Sequence, residues 1–130
     1  MSLTTSTIAT MLPVTDTARA KEFYADRLGL PFEGENSVGE LQFSLAHGDA
    51  LVLLPREAGS QSKSTAMSWE VTDVDKELAE LESRGVTFED YDMPGLKTVN
   101  HLAEIDGDRA AWFRDPDGNV LCLHQGVTPA

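Results

Sequence analysis

Short stretches of alternating apolar and polar residues predict that most of this chain forms strands. In residues 41–45 three apolar side chains alternate with the polar Gln42 and Ser44. A period of two puts the two kinds of side chain on opposite faces, which is typical of a strand with one buried face. Asp106-Gly107 and Asp115-Pro116-Asp117-Gly118 are hairpin turn signals, so antiparallel strands are expected on either side of them.

Two segments follow the spacing of an amphipathic helix instead. Their apolar residues recur every three to four positions, as one buried helix face requires. They are Phe23, Tyr24 and Leu28 in a first helix predicted over about 17–28, and Val74, Leu78 and Leu81 in a second. Gly29 and Gly85 follow these segments, where a glycine commonly ends a helix.

An internal repeat organises the chain. Three landmarks of the first half recur in the same order in the second half, which makes coincidence a poor explanation. The first is Val14-Thr15-Asp16, which recurs as Val71-Thr72-Asp73 at an offset of 57 residues. The second is Gly29-Leu30-Pro31-Phe32-Glu33, which recurs as Gly85-Val86-Thr87-Phe88-Glu89 at an offset of 56. The third is Gly48-Asp49-Ala50-Leu51-Val52-Leu53-Leu54, which recurs as Gly118-Asn119-Val120-Leu121-Cys122-Leu123-His124 at an offset of 70. The rise in offset from 56 to 70 gives the second copy 14 extra residues between Glu89 and Gly118.

Each copy reads as strand, helix and three further strands, a βαβββ module of the α+β class. Because 130 residues suffice for one hydrophobic core, we predict a single domain over residues 1–130, with modules over about 6–56 and 64–126 around one pocket. Pro94-Gly95 marks residues 92–100 as an irregular loop that accounts for most of the insertion. This loop is either a lid at the pocket rim or an ordinary surface loop.

Composition narrows the range of partners. Twenty-two acidic and ten basic residues give a net charge of −12, which repels phosphate backbones and anionic lipid headgroups, so we expect neither nucleic acid nor membrane as a partner. The charge either attracts a cationic ligand or simply keeps the surface solvated. Neither a bilayer-spanning apolar run nor a signal-peptide pattern is found, and we expect a cytoplasmic protein. The single cysteine, Cys122, cannot form an intramolecular disulfide.

These landmarks resemble the vicinal oxygen chelate superfamily, which includes glyoxalase I, bleomycin-resistance proteins, fosfomycin-resistance enzymes and extradiol dioxygenases. The resemblance covers nearly the whole chain. Its carriers are Leu12-Pro13-Val14-Thr15-Asp16, Phe23-Tyr24, Leu28-Gly29-Leu30 and Trp112-Phe113-Arg114-Asp115-Pro116-Asp117-Gly118-Asn119. It implies the glyoxalase/bleomycin-resistance/dioxygenase fold, in which tandem modules form a curled mixed sheet of half-barrels with helices outside. One fold hosts many chemistries, so the motifs identify the fold better than the reaction.

The resemblance also indicates where a metal would be held. In the family's enzymes a divalent metal lies inside, bound by residues of the first and last strands of each module. The family's spacing gives Ala9, Ala66, Val52 and Cys122 for these positions. Divalent metals need three or four His, carboxylate or thiolate ligands, so we predict no metal and no cofactor in the usual site. A displaced metal site of Cys122, His124 and Glu70 is the alternative.

Strand alternation then sorts residues by face. Residues in step with the four metal positions are expected to face the pocket and bind the ligand. They are Trp112, Gln42, Ser44, Ser68, Glu70, Arg114, Cys122 and His124. The opposite face is mostly apolar, as a helix-covered surface should be, and holds Ile8, Leu12, Val14, Met67, Trp69, Val71, Leu51, Leu53, Leu121 and Leu123. Trp112 either offers a stacking surface for an aromatic or cationic ligand or fills a closed barrel.

The register around Asp106-Gly107 decides which residue lies beside Trp112. A two-residue turn pairs His101 with Trp112 and points it inward, whereas a three-residue turn brings in Leu102 and Glu104. His101 is a candidate for proton transfer because histidine titrates near neutral pH. A purely structural role is the alternative.

We therefore expect a metal-independent binding protein of the glyoxalase and bleomycin-resistance type, which sequesters a small organic ligand. An enzyme is the alternative, either a lyase or dioxygenase with a displaced metal site or a metal-free isomerase that uses His101 or Glu70. A third reading is a regulatory module whose pocket is filled by its own side chains. The resemblance further implies a homodimer.

Overall fold

The computed structural model describes residues 3–126, which fall into two compact units, Met1–Gln61 and Ser62–Ala130. The units follow the two modules of the sequence repeat. The first contains β1 (Ala9–Val14), α1 (Thr17–Lys21), β2 (Phe32–Glu35), β3 (Leu41–Ser44) and β4 (Ala50–Pro55), with single 3-10 turns at Leu3–Thr5 and Ala46–Gly48. The second contains β5 (Thr65–Glu70), α2 (Val74–Ser83), β6 (Asp92–Met93), β7 (Leu96–Val99), β8 (Leu102–Ile105), β9 (Asp108–Arg114) and β10 (Val120–Gln125).

Each unit has one mixed sheet in which the first and last strands are parallel neighbours. The first sheet has the order β1-β4-β3-β2 and the second β5-β10-β9-β8-β7-β6. Only β1–β4 and β5–β10 are parallel among these pairs, and the remaining neighbours are antiparallel. The predicted α+β class and tandem modules are confirmed. Among residues 3–126, no helix is long and apolar enough to cross a membrane.

Strand register follows the repeat at most positions, with one register shift at Val120 in the β5–β10 pair. The first sheet pairs Met11 with Val52 and Gln42 with Val52, and the second pairs Ser68 with Cys122 and Trp112 with Cys122. Each second-module pair follows from its counterpart by the offsets of 57 and 70 read from the sequence. The two modules therefore present equivalent positions on equivalent strands.

The inserted segment forms a β-hairpin, so the prediction of an irregular loop over residues 92–100 was wrong. β6 and β7 pair around Pro94-Gly95, and β7 continues into the sheet through β8. Glycine at position 95, with a φ of 83°, supplies the left-handed residue that closes the turn. The insertion thus adds two strands to the edge of the second sheet.

The insertion divides one strand of the second module into two parts. In the first module β2 pairs Phe32 with Phe43, and the second keeps the equivalent bridge, Phe88 with Phe113. The chain then leaves the sheet, forms the hairpin and returns as β8, where Ala103 pairs with Ala110. The insertion therefore leaves the sheet paired on both sides of it.

Both helices begin at the aspartate of the repeated Val-Thr-Asp motif. The Asp16 carboxylate accepts a hydrogen bond from the backbone N–H of Arg19, and Asp73 accepts one from Lys76, both at 3.1 Å. A side-chain acceptor at this position satisfies one of the free N–H groups of the first helical turn. The repeat of three residues is thus a repeated helix start.

The first helix does not remain α-helical to residue 28 as predicted. α1 passes at Glu22–Arg27 into a wider π-helical turn, in which the N–H of Leu28 donates to the carbonyl of Phe23. This turn carries the buried Phe23 and Tyr24, whose rings meet edge to face at 5.3 Å. The second helix, α2, has its expected buried residues.

The predicted apolar face forms the core of each unit. Its buried members are Leu12, Val14, Leu51, Leu53, Leu121 and Leu123. Trp69 also lies on this side, stacked on Phe113 at 6.2 Å, as the alternation predicted. Ile8 is an error of the prediction, because it precedes β1 and is 65% exposed.

Candidate functional site

Three neighbouring strands of the second module bring Trp112, Cys122 and Ser68 into one row. β9 places Trp112 opposite Cys122, and β5 places Ser68 beside Cys122 on the other side. The predicted pairing of Arg114 with Val120, which put Trp112 opposite Cys122, is confirmed. This row is the centre of the candidate site.

The Trp112 ring is held by two contacts. Its indole N–H donates to Thr65 Oγ1 at 3.2 Å, and the Tyr91 ring packs edge to face against it at 5.6 Å. Because the single hydrogen-bond donor of Trp112 is already used, the side chain can offer a ligand mainly its aromatic face. Tyr91 was missed by the sequence reasoning, because its position depends on the path of the insertion that follows it.

Cys122 behaves as a small buried residue. The side chain is 5% exposed, and burial raises the pKa of its thiol, with a hydrogen bond from Ser68 acting in the opposite sense. Sγ donates to the carbonyl of Leu123 at 3.3 Å. A protonated, buried thiol is a poor nucleophile and a poor metal ligand.

Arg114 lies two residues after Trp112 on β9, and its guanidinium forms an ion pair with Glu89. Nε donates to Glu89 Oε1 at 2.5 Å, and this hydrogen bond raises the pKa of the guanidinium. A weaker donation from Nη1 reaches the carbonyl of Gly118 at 3.4 Å. Arg114 is therefore tied to the turn that follows it and to Glu89, the residue just before the insertion.

The Asp-Pro-Asp-Gly-Asn turn closes the β9–β10 hairpin. Asp115 Oδ1 accepts from the N–H groups of Asp117 and Asn119 at 2.9 and 2.8 Å, and Asp115 Oδ2 accepts from Asn119 Nδ2 at 2.8 Å. Asp115 and Asn119 are both buried. The most specific motif of the sequence thus fixes the strand register that places Trp112 opposite Cys122.

His124 lies two residues after Cys122 on β10, between two carboxylates. Its Nδ1 is 2.5 Å from Glu70 Oε1 and its Nε2 is 2.9 Å from Asp108 Oδ2. Two ionised carboxylates can both be satisfied only if both ring nitrogens carry hydrogen, so the geometry selects the imidazolium form. Accordingly the pKa of His124 is raised, and the hydrogen bond to Glu70 is the largest cause.

The partner residue Asp108 was also missed from the sequence. It is the first residue of β9 after the Asp106-Gly107 turn and lies four residues before Trp112, so strand alternation puts both on the same face. His124, Glu70 and Asp108 together carry one net negative charge.

The residues at the family's metal positions do not fit a divalent metal. Ala66 and Cys122 occupy them in the second module, and Ala9 and Val52 in the first. Three of these four have no donor atom, and the fourth is a protonated thiol. Among residues 3–126 no group of three or more His, Cys, Asp or Glu side chains is arranged to hold a metal ion.

His101 lies elsewhere than predicted. The two-residue turn is confirmed by the pairing of Ile105 with Asp108, yet His101 does not face the same side as Trp112. It and the preceding Asn100 have positive φ values of 70° and 53°, which break the alternation of the strand. The ring instead approaches Phe88 on the helix-covered face, with centroids 6.4 Å apart.

The first module carries the two remaining predicted residues. Gln42 is exposed and pairs with Val52, and Ser44 donates from Oγ to Glu33 Oε2 at 2.7 Å. They are the register equivalents of Trp112 and Arg114. The first module thus has no aromatic side chain at the position of Trp112.

Fold and motifs together define a class of protein. Residues 7–123 match the sequence model of the Glyoxalase/Bleomycin resistance protein/Dioxygenase superfamily. The chain belongs to this superfamily.

Three similar proteins show the range of the family. The uncharacterized protein YraH of Bacillus subtilis (strain 168) is 30% identical over 129 residues, covering 88% of this chain and 93% of its own. The crystal structure of TnmS3, an antibiotic binding protein from Streptomyces sp. CB03234, is 26% identical, with a TM-score of 0.68 and coverage of 96% and 98%. A lactoylglutathione lyase from Agrobacterium tumefaciens shares the fold, at 20% identity, a TM-score of 0.70 and coverage of 94% of each chain.

Proposed function

We propose that this protein binds a small organic ligand, aromatic or cationic, without a metal, and that it sequesters the ligand rather than transforming it. One observation carries the proposal. In the second module the family's metal positions are occupied by Ala66 and a buried Cys122, and Cys122 pairs with Trp112 on the neighbouring strand. The chemistry of this row suits contact with an aromatic surface and does not suit Lewis-acid catalysis.

Electrostatics favour a cationic group on the ligand. The cluster of His124, Glu70 and Asp108 has one excess negative charge, and the whole chain has a net charge of −12. A cation over an indole face gains further electrostatic energy, about 0.5–2 kcal/mol depending on how dry the site is. A planar cation would use both features at once.

Polar residues around Trp112 supply specificity. Ser68 and Glu70 are exposed on β5, and Arg114 lies beyond Trp112 on β9. We include Gln42 and Ser44 in the proposal as the first-module counterparts of Trp112 and Arg114. A few polar groups around an aromatic surface are the usual composition of a ligand site.

The relative TnmS3 supports sequestration as the activity. Its structure is described as that of an antibiotic binding protein, and it covers nearly the whole of this chain at 26% identity. At 20% identity the lyase relative supports a shared fold but not a shared activity, so it does not favour catalysis. Binding is therefore the function that both the site and the relatives favour.

Fluorescence titration tests the proposal with the tryptophans separated. Trp69→Phe leaves Trp112 as the single indole of the chain, and aminoacridine, acridone and anthraquinone sulfonate serve as cationic, neutral and anionic planar probes. We expect saturable quenching in Trp69→Phe, with aminoacridine bound most tightly. Calorimetry on Trp112→Phe should show a measurable loss of binding free energy that is smaller than the roughly 1–3 kcal/mol lost when an aromatic stacking partner is removed altogether, because phenylalanine keeps a smaller ring.

Trp69→Phe is also the matched control for the calorimetry, because Trp69 stacks on Phe113 on the other face of the sheet. It should retain the affinity of the unsubstituted protein. Equal losses in Trp69→Phe and Trp112→Phe, or no binding of any probe, would contradict the proposal. Elemental analysis of protein prepared without chelators separates the enzyme alternative, since stoichiometric zinc, nickel, manganese or iron would reverse the choice.

We also propose that the protein is a homodimer, as the family resemblance implies. Sedimentation equilibrium of the purified chain measures this directly, because a dimer has twice the mass of the 14.1 kDa chain. A single species at the monomer mass would contradict it.

A further inference from the structure

The second module has a groove on the helix-covered side of its sheet, away from Trp112. Its walls are α2 on one side and the β6–β7 hairpin on the other, and its floor is the β8–β9 pair. The cavity has a volume of about 900 Å³, large enough for a drug-sized molecule. We call it the helix–hairpin groove.

Two polar contacts hold α2 over the groove. Arg109 of β9 donates to both oxygens of Asp75, at 2.7 and 3.0 Å, near the start of the helix. Near its end, Glu82 lies 3.5 Å from His101 Nε2, and the other ring nitrogen of His101 is 2.9 Å from Asp90 Oδ1. Seven residues separate the two contacts on α2, a distance of about 10 Å along the helix axis.

The base of the hairpin is fixed as well. Thr98 and Tyr91 exchange backbone and side-chain hydrogen bonds, with Thr98 N donating to the Tyr91 carbonyl at 2.8 Å and Tyr91 N donating to Thr98 Oγ1 at 2.9 Å. Both walls are thus anchored by contacts within the chain. A preformed groove of this kind spares a ligand much of the ordering cost of binding.

Between these contacts the groove is lined by apolar side chains. Leu78 lies midway along the helix wall, and Leu96 and Leu102 line it from the hairpin and the floor. Val99 of the hairpin is 64% exposed at this surface. The groove therefore combines an apolar part with a larger polar lining, and the apolar part can contact the hydrocarbon body of a ligand.

The charges at the groove favour a cation. Three carboxylates line it, Asp75, Glu82 and Glu104, against Lys97 and Arg109. Arg109 is already neutralised by its two-pronged contact with Asp75. Glu104 is exposed and lies opposite Arg109 in the β8–β9 register, where its carboxylate adds to the negative charge that Asp75 already places beside Arg109.

We propose that the helix–hairpin groove is a second ligand site, which binds an organic amine with an apolar body. The apolar part lies against Leu78, Leu96 and Val99, and the ammonium group pairs with Glu104. The site is independent of the proposed function at Trp112. One of its walls, the β6–β7 hairpin, comes from the insertion, which has no counterpart in the first module.

Nuclear magnetic resonance tests the proposal with a matched set of probes. Phenylbutylamine, phenylbutanol and phenylbutyrate share one apolar body and differ in charge. Amide shifts of the ¹⁵N-labelled protein should change at α2, the β6–β7 hairpin and β8 on addition of the amine. We expect the affinity to fall by about fivefold from the amine to the alcohol, the size of one partly exposed ion pair, and further to the carboxylate.

Two pairs of variants test the residues. Glu104→Gln should weaken amine binding about fivefold, and Glu35→Gln, an exposed glutamate of the first module, should not. Val99→Lys should weaken it at least about tenfold, because a long cation enters the groove, whereas Val38→Lys, at an equally exposed valine, should not.

The test also separates this site from the one at Trp112. Trp112→Phe should leave amine binding in the groove unchanged, and Val99→Lys should leave aminoacridine binding at Trp112 unchanged. Absence of shifts at the groove, equal affinity for the amine and phenylbutyrate, or equal effects of Glu104→Gln and Glu35→Gln would overturn the proposal.

Discussion

A histidine that contacts two carboxylates shows how residue-scale geometry determines protonation in this protein. His124 gains from its charged form only while Glu70 and Asp108 are ionised, so its folded-state pKa lies above the value of 6.5 for an unperturbed histidine. A histidine whose pKa is raised on folding stabilises the folded state, and this stabilisation is at its full size when the pH is below the pKa of the histidine in the unfolded chain. That stabilisation is lost as the pH rises through the folded-state pKa.

We therefore predict a pH-dependent difference in stability between the unsubstituted protein and His124→Gln. The difference should be about 0.5–1 kcal/mol near pH 5.5, as for partly exposed ion pairs, and should diminish above the folded-state pKa. Urea unfolding over a pH series measures it. Proton NMR titration should place the pKa of His124 above 6.5 and show it lowered in Glu70→Gln. A pKa below 6.5 would contradict the assigned geometry.

The buried thiol gives a second prediction at this scale. Cys122 is 5% exposed and its pKa is raised, so both access and thiolate fraction oppose its modification. Labelling with a disulfide reagent at pH 8 should be at least about tenfold slower in the folded protein than in urea. Rates that are equal in the two states would show that Cys122 is accessible and that the row beside Trp112 is open.

Single residues also show where sequence reasoning succeeds and where it fails. Alternation placed Trp69 on the core side and Trp112 opposite Cys122, because both lie within regular strands. It failed at His101, since the left-handed backbone of Asn100 and His101 interrupts the strand. Hydrophobic alternation does not mark such a break, although Asn and His are among the non-glycine residues that adopt left-handed backbone most often.

At the scale of elements, the structure explains why the Val-Thr-Asp motif occurs twice. Both copies end a parallel strand and supply the acceptor that starts a helix. The sequence identified the position of both helix starts but not the π-helical turn of the first helix. That turn depends on how Phe23 and Tyr24 pack, which is a tertiary effect.

Removing either cap should destabilise the protein. We predict that Asp16→Ala and Asp73→Ala each cost about 1 kcal/mol in the free energy of unfolding, because an N–H of the first helical turn loses its acceptor. Asp16→Asn and Asp73→Asn keep a side-chain oxygen and should cost much less. Chemical denaturation measures all four, and equal losses for alanine and asparagine would argue against capping.

At the scale of the whole molecule, the repeat predicted far more than the order of elements. Together with the turn at Asp115–Asn119 it predicted the β9–β10 register, which the structure confirms, and its offsets relate the strand pairs of the two modules except at Val120, where the β5–β10 register shifts. The hairpin formed by the insertion could not be predicted, because the repeat offers no counterpart for those residues. Tyr91, at the start of that segment, was missed for the same reason.

The net charge of −12 should govern how ligands approach the whole molecule. We predict that the affinity for aminoacridine falls as ionic strength rises from about 0.01 M to about 1 M, over which the screening length shrinks from about 30 Å to 3 Å. The affinity for neutral acridone should change much less. Calorimetry at several salt concentrations measures both. If salt changed the affinity for the two probes equally, charge attraction would not explain a preference for aminoacridine over acridone.

The divided strand of the second module has a consequence for how the fold can vary. Phe88 pairs with Phe113 before the chain departs, and Ala103 pairs with Ala110 after it returns, so the sheet does not depend on what lies between. The entropy cost of closing a longer loop grows only with the logarithm of its length. Residues 90–101 therefore mark a natural grafting point, at which segments of other lengths could be exchanged to give one scaffold new recognition surfaces.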